Sequence, residues 1–119
     1  MWFEQLPEQC PPADAVKPNG VYYRLTETSV PICSDFWSNR KLWAHQKFNT
    51  CECIAMSVSV FQNVEPLKRV LKMPAHKNKT MVEVTLIPEA GLIMKTFGVS
   101  HFSWWRSADF PILNSVVAI

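Results

Sequence analysis

Residues 51–61, CECIAMSVSVF, constrain the fold of this chain more than any other stretch. From Cys53 onward the side chains alternate between two faces. Ile54, Met56, Val58 and Val60 make one face continuously apolar, while Cys53, Ala55, Ser57, Ser59 and Phe61 make the other small and polar at its centre. Period-two alternation of this kind predicts a strand. One greasy face and one face of small residues predict a central strand, with a core on one side. On the other side a helix or a ligand can come close.

The rest of the chain reads as further strands and short helices. Residues 1–19 form an irregular lead-in, whose Trp2, Phe3 and Leu6 are apolar enough to dock on the core. Its CPPADAVKPNG segment carries three Pro and ends in an Asn-Gly turn. Residues 21–26, VYYRLT, predict the first strand, with Arg24 in its middle. Ser34 and Asp35 suit a helix start, so a short helix is expected over 36–43 with Phe36, Leu42 and Trp43 inward. A second helix is expected over 64–73, capped by Asn63 and striped by Leu67, Val70 and Leu71. Residues 80–87 and 91–96 read as two strands around the Pro88–Gly91 turn, hence a hairpin. Trp104 and Trp105 are adjacent, so one should enter the core and the other form a surface platform. SVVAI at the C-terminus reads as a last strand. The expected architecture is a single α+β domain over 1–119, a mostly antiparallel sheet of five or six strands with two short helices.

At 119 residues, 48% hydrophobic and 18% charged, the chain can bury a real core. A net charge of +2 is too small to imply nucleic-acid binding by itself. The cluster of Lys68, Arg69, Lys72, His76, Lys77 and Lys79 lacks interleaved aromatics and reads as a solvated helix face; a weak nucleic-acid contact is its functional alternative. No apolar run reaches the roughly 18–20 residues of a membrane span. The first ten residues have acids and no Lys or Arg, unlike a secretory signal. A reducing cytoplasm is therefore expected, with the thiols of Cys10, Cys33, Cys51 and Cys53 free. The Cys51-x-Cys53 pair with His45 falls short of a recognisable four-ligand zinc set, so no metal is expected.

Nucleotide-binding loops, zinc-protease motifs and nucleophile elbows are absent, and no Ser–His pairing is indicated by spacing. What remains is Arg24 in YYR, Ser57 and Ser59 in MSVSVF, Glu83 in VEVTLIPEAG, and the His101, Trp104, Trp105 group in HFSWW. The Arg–Ser–Glu order on successive strands resembles the ADP-ribosyltransferase-like fold. That resemblance implies that Arg24 grips the phosphate and ribose of NAD, Ser57 and Ser59 shape the nicotinamide pocket, and Glu83 supports a cationic transition state. His101, Trp104 or Trp105 would wall the pocket. Two positions depart from that pattern: Met81 stands where a second Glu or Gln is frequent, and Met56 where an aromatic is usual. Phe36-Trp-Ser38, Ser59-Val-Phe61 and His101 to Trp105 also resemble small bacterial proteins of unassigned function, which implies no activity. On residues alone, Arg24 and Glu83 could equally be an ordinary cross-strand ion pair. The sequence leaves open an NAD-directed enzyme, a non-enzymatic binding or immunity-type protein, and a weak nucleic-acid binder. NAD would enter as substrate rather than as a resident cofactor.

Overall fold

Six short alternating segments build the sheet. In a computed structural model describing residues 1–119, they are β1 (Gly20–Thr26), β2 (Val58–Phe61), β3 (Thr80–Leu86), β4 (Gly91–Lys95), β5 (His101–Arg106) and β6 (Val116–Ala118). They lie in the spatial order β4-β5-β2-β1-β3-β6, and every pairing is antiparallel. Three short helices accompany them: α1 (Asn39–Leu42), α2 (Glu52–Ala55) and α3 (Glu65–Leu71), with 3-10 turns at Cys33–Phe36, Pro88–Ala90 and Ile112–Ser115. The chain is thus an α+β domain around one six-stranded sheet, with three helices instead of the two expected.

Facing residues of an antiparallel pair share a side of the sheet, and successive residues alternate. The register therefore places Val58, Val60, Val82, Val84, Leu86, Ile93 and Trp104 on one side. These form the core with Phe36, Ala90, Phe110 and Ile112, which come from the 3-10 turns and the loop before the last one. The opposite side carries Tyr23, Leu25, Ser59, Phe61, Glu83, His101, Ser103 and Trp105. There α3 buries Leu67, and the Trp105 indole donates to the Cys53 carbonyl beside α2 at 2.8 Å.

Several expectations are corrected. The central strand is only Val58–Phe61; residues 52–55 are helical with Cys51 as N-cap. The Ser57 hydroxyl turns back on the Ile54 carbonyl at 2.7 Å, closing the helical turn before the strand begins. Four alternating residues cannot be told from a helical turn by periodicity alone. The helix expected over 36–43 is broken at Trp37 and Ser38. There the Glu4 carboxylate takes the Ser38 N–H at 3.0 Å and its hydroxyl at 2.6 Å, and the chain restarts as α1 with Ser38 capping Lys41. Phe36 is fully buried, but Leu42 and Trp43 turn outward, 39% and 58% exposed. The N-cap of α3 is Val64, not Asn63. The β3–β4 hairpin does not form either: β3 lies between β1 and β6, and β4 pairs with β5. The buried Ala90 accepts the Trp104 N–H at 3.0 Å, holding the crossover between them under the core.

The thiols are corrected as well. Cys53 is bonded to Cys10, whereas Cys33 and Cys51 are free and exposed. Expecting four reduced thiols failed because nothing local reveals that the Pro-rich lead-in returns to α2. The bond spans 43 residues. Cross-linking a loop of that length restricts the unfolded chain by about 4 kcal/mol. Cys10→Ala should therefore lower the denaturation midpoint by that equivalent, and excess reductant should do the same to the wild type. An unchanged midpoint in both would show that the bond contributes nothing.

Candidate functional site

β1 and β2 meet only at Tyr23↔Phe61, whereas β1 and β3 pair from Gly20↔Leu86 to Thr26↔Thr80. Beyond that single facing pair the two strands diverge, leaving the Ser59 carbonyl without a strand partner on that side. Arg24 fills the gap. Its Nη1 donates to the Ser59 carbonyl at 2.6 Å, and its Nε donates to the Asp35 carbonyl at 2.8 Å. Its guanidinium lies 6.0 Å from the centre of the Phe36 ring. Burial brings the Arg24 pKa down to about 10, against the opposing pull of Asp35, so the group remains cationic at neutral pH. The Asp35 carboxylate is committed elsewhere, accepting the N–H groups of Glu27 and Ile32 at 3.0 and 2.9 Å. Arg24 has no salt bridge. A guanidinium has five N–H donors, and two are used here.

Two clefts open on either side of this cation. One, about 310 Å³, is lined by Leu25, Ser59, Phe61, Leu67, Val70, His76 and Lys79 with Arg24. The other, about 260 Å³, shares Arg24, Leu25 and Lys79 and is walled by Ile32, Leu42 and Trp43. The first has no carboxylate in its lining, and the Nδ1 of His76 is buried there without a hydrogen-bond partner. Such an atom is unusual, because buried polar groups are almost always paired.

At the floor of the first cleft the Ser59 hydroxyl lies 2.9 Å from His101 Nε2. The other ring nitrogen, Nδ1, lies 3.1 Å from the Thr96 carbonyl and 2.9 Å from the Thr96 hydroxyl, which reaches on to Ser103 at 2.9 Å. A carbonyl can only accept, so Nδ1 carries the proton and Nε2 accepts from Ser59. Burial holds the His101 pKa below the usual imidazole value, with the bond to Thr96 opposing and the charge of Arg24 adding to the fall. Phe61 packs edge-on to the imidazole at 5.0 Å, and Phe97 lies tilted against it at 5.4 Å.

Of the residues selected from the sequence, the fold joins Ser59 and His101 through their side chains on one side of the sheet, and brings Arg24, which faces Val82 on the other side, only to the Ser59 carbonyl. It does not bring the others with them. Ser57 is buried and spends its hydroxyl on Ile54. Trp104 and Trp105 are both buried, so neither is a surface platform. Glu83 faces Tyr23, whereas Arg24 faces Val82, so the two lie on opposite sides of the sheet. Neither the convergent Arg–Ser–Glu site nor the Arg24–Glu83 ion pair forms. Glu83 shares a side with His101, but the row His101, Phe61, Tyr23, Glu83 puts two strands between them, about 14 Å at ordinary strand spacing. The Ser59–His101 pair went unseen because 42 residues separate its members and only the β2–β5 register joins them. Thr96 and Trp43 carried no signal as site residues, and His76 was named only within the basic cluster.

Two members of the basic cluster of α3 and the following loop are paired with carboxylates. Lys68 bridges Glu65 at 3.6 Å, and Lys79 bridges Glu27 at 3.5 Å while lining both clefts. No group of His, Cys, Asp and Glu is placed to hold a metal, and no helix is long and apolar enough to cross a membrane. Comparison with family models, curated proteins and solved structures finds no match to this chain.

Proposed function

We propose that this domain binds a small anionic ligand bearing a flat ring, of the nucleotide class, with its anionic group at Arg24 and Lys79. The observation that carries this reading is the Arg24 guanidinium. It is cationic, free of any carboxylate partner, and set where two clefts meet with three donors unspent. Arginine's planar fork suits phosphate and carboxylate oxygens. Trp43 supports the reading: its half-exposed indole offers a stacking wall across the second cleft. The ADP-ribosyl transfer implied by the strand order lacks support, because no carboxylate stands opposite Arg24 where Glu83 was expected. NAD therefore enters this reading only as one dinucleotide to be tested for binding.

Calorimetric titration with inorganic phosphate, AMP and NAD tests it. AMP should bind more tightly than phosphate, and added salt should weaken both. Arg24→Met should lower affinity for each by at least about tenfold, the scale of a charge-assisted hydrogen bond. Trp43→Ala should erase the advantage of AMP over phosphate. If neither phosphate nor AMP binds at millimolar concentration, or if a folded Arg24→Met protein binds them as the wild type does, the reading is wrong.

A further inference from the structure

We propose that Ser59 is a nucleophile activated by His101, and that this face of the sheet hydrolyses carboxylic esters. The geometry is that of a serine–histidine dyad oriented by a third group. Ser59 Oγ donates to Nε2 at 2.9 Å, and the Thr96 carbonyl at 3.1 Å holds the proton on Nδ1. In this tautomer the ring is ready to accept the serine proton. The orienting role that a carboxylate fills in many such sites belongs here to a backbone carbonyl and a hydroxyl. Ser59 is half-buried and lines a cleft large enough for a small substrate, so its hydroxyl is not sealed inside the sheet.

A second, independent feature lies beside the dyad. Phe97 has φ of 53°, a left-handed conformation unfavourable for an aromatic residue, and its ring is 68% exposed while leaning on His101. Backbone strain of this sort persists only when its surroundings enforce it, and it concentrates at functional sites. Here it keeps an apolar ring against the imidazole.

The step balances with water as the only co-reactant. As Ser59 Oγ attacks the ester carbonyl carbon, its proton passes to His101 Nε2. The tetrahedral oxyanion collapses, the C–O bond to the alcohol breaks, and Nε2 returns its proton to the leaving oxygen. Water then gives a proton to Nε2 and attacks the acyl-serine, releasing a carboxylic acid and restoring Ser59. Arg24 bonds the Ser59 carbonyl from the other side of the sheet, and its charge adds to the fall in the His101 pKa that burial causes. The cleft's basic lining selects esters whose acyl group carries a negative charge. That preference rests on the anion reading above; the dyad does not.

Two measurements separate the two ideas. The first is labelling by an uncharged organophosphorus fluoride, located by peptide mass spectrometry. Wild-type protein should be labelled at Ser59 and Ser59→Ala should not. His101→Gln, which keeps a polar side chain but no base, should react about 10²-fold more slowly. The wild-type rate alone should rise with pH through a midpoint below 6.5, because burial lowers the His101 pKa, the bond to Thr96 opposing and the charge of Arg24 adding to the fall. This needs no variant to fold. Absence of label on folded wild type, or a rate indifferent to pH between 4 and 8, overturns the nucleophile whatever phosphate binding shows. The second measurement compares 4-nitrophenyl hemisuccinate with 4-nitrophenyl butyrate. Faster turnover of the charged ester is expected; equal turnover overturns the charge preference and leaves the dyad standing.

Discussion

Trp104→Ala is expected to lower folding stability by about 4 kcal/mol, a large share of the 5–15 kcal/mol that holds a domain of this kind together. The indole has no exposed surface and faces Val58 on one neighbouring strand and Ile93 on the other. Phe110 meets it edge-on at 6.1 Å. Truncation would leave a cavity that strands fixed on both sides cannot collapse to fill. The Ala90 carbonyl, which accepts the indole N–H, would lose that partner inside the core. Trp104→Phe should cost less, since it restores much of the volume and loses only the hydrogen bond. Equilibrium urea unfolding measures both; a loss under about 1.5 kcal/mol for the Ala variant would mean that the 3-10 turns over the core yield far more readily than their packing suggests.

Gly91→Ala should be comparably severe, on the order of 4 kcal/mol, although it adds a single methyl group. Gly91 opens β4 with φ of 134°, a region closed to side chains, and it faces Arg106. A Cβ there would overlap the Trp105 carbonyl oxygen and crowd the Ser107 N–H, both main-chain atoms that no rotamer change can move. The strand pair would have to part where Ser107 donates to Ala90 at 2.8 Å. Gly98 is the matched control: its φ of 131° is similar, but nothing lies within 4 Å of an added Cβ. Gly98→Ala should therefore show only the backbone strain, about 1–2 kcal/mol. Equal losses at the two sites would refute the overlap argument.

The strands were legible because their signal is local. VYYRLT, TMVEVTLI and GLIMKT alternate or carry β-formers, and each appears as a strand within a residue or two of its expected limits; the Trp104–Trp105 pair lies in β5. Their neighbours were not legible, because pairing is decided by loop geometry and by the twist of the whole sheet. The expected β3–β4 hairpin failed for this reason: Pro88–Ala90 does not turn the chain back but carries it to the far half of the sheet. The site divides in the same way. Arg24 stood out as a charge within a strand, and Ser59 and His101 by residue type. Yet the grouping of Arg24 with Glu83 assumed a common side, which one residue of register reverses. Trp105 reads as amphipathic until α2 is placed over it, and nothing in CECIA announces a helix of four residues pinned by a disulfide to the lead-in.

With one main-chain rung between β1 and β2, the sheet is two three-stranded leaves whose spine is stitched by a side chain. The β4-β5-β2 leaf carries Ser59 and His101; the β1-β3-β6 leaf carries Arg24. On the proposed function, ligand capture and the joining of the leaves therefore draw on one guanidinium. An anion that drew Arg24 away from the Ser59 carbonyl would loosen the stitch. An anion that uses only the spare donors leaves the stitch tight. On the proposed function, a ligand at Arg24 would therefore act on the same contact that holds the Ser59 carbonyl to β1.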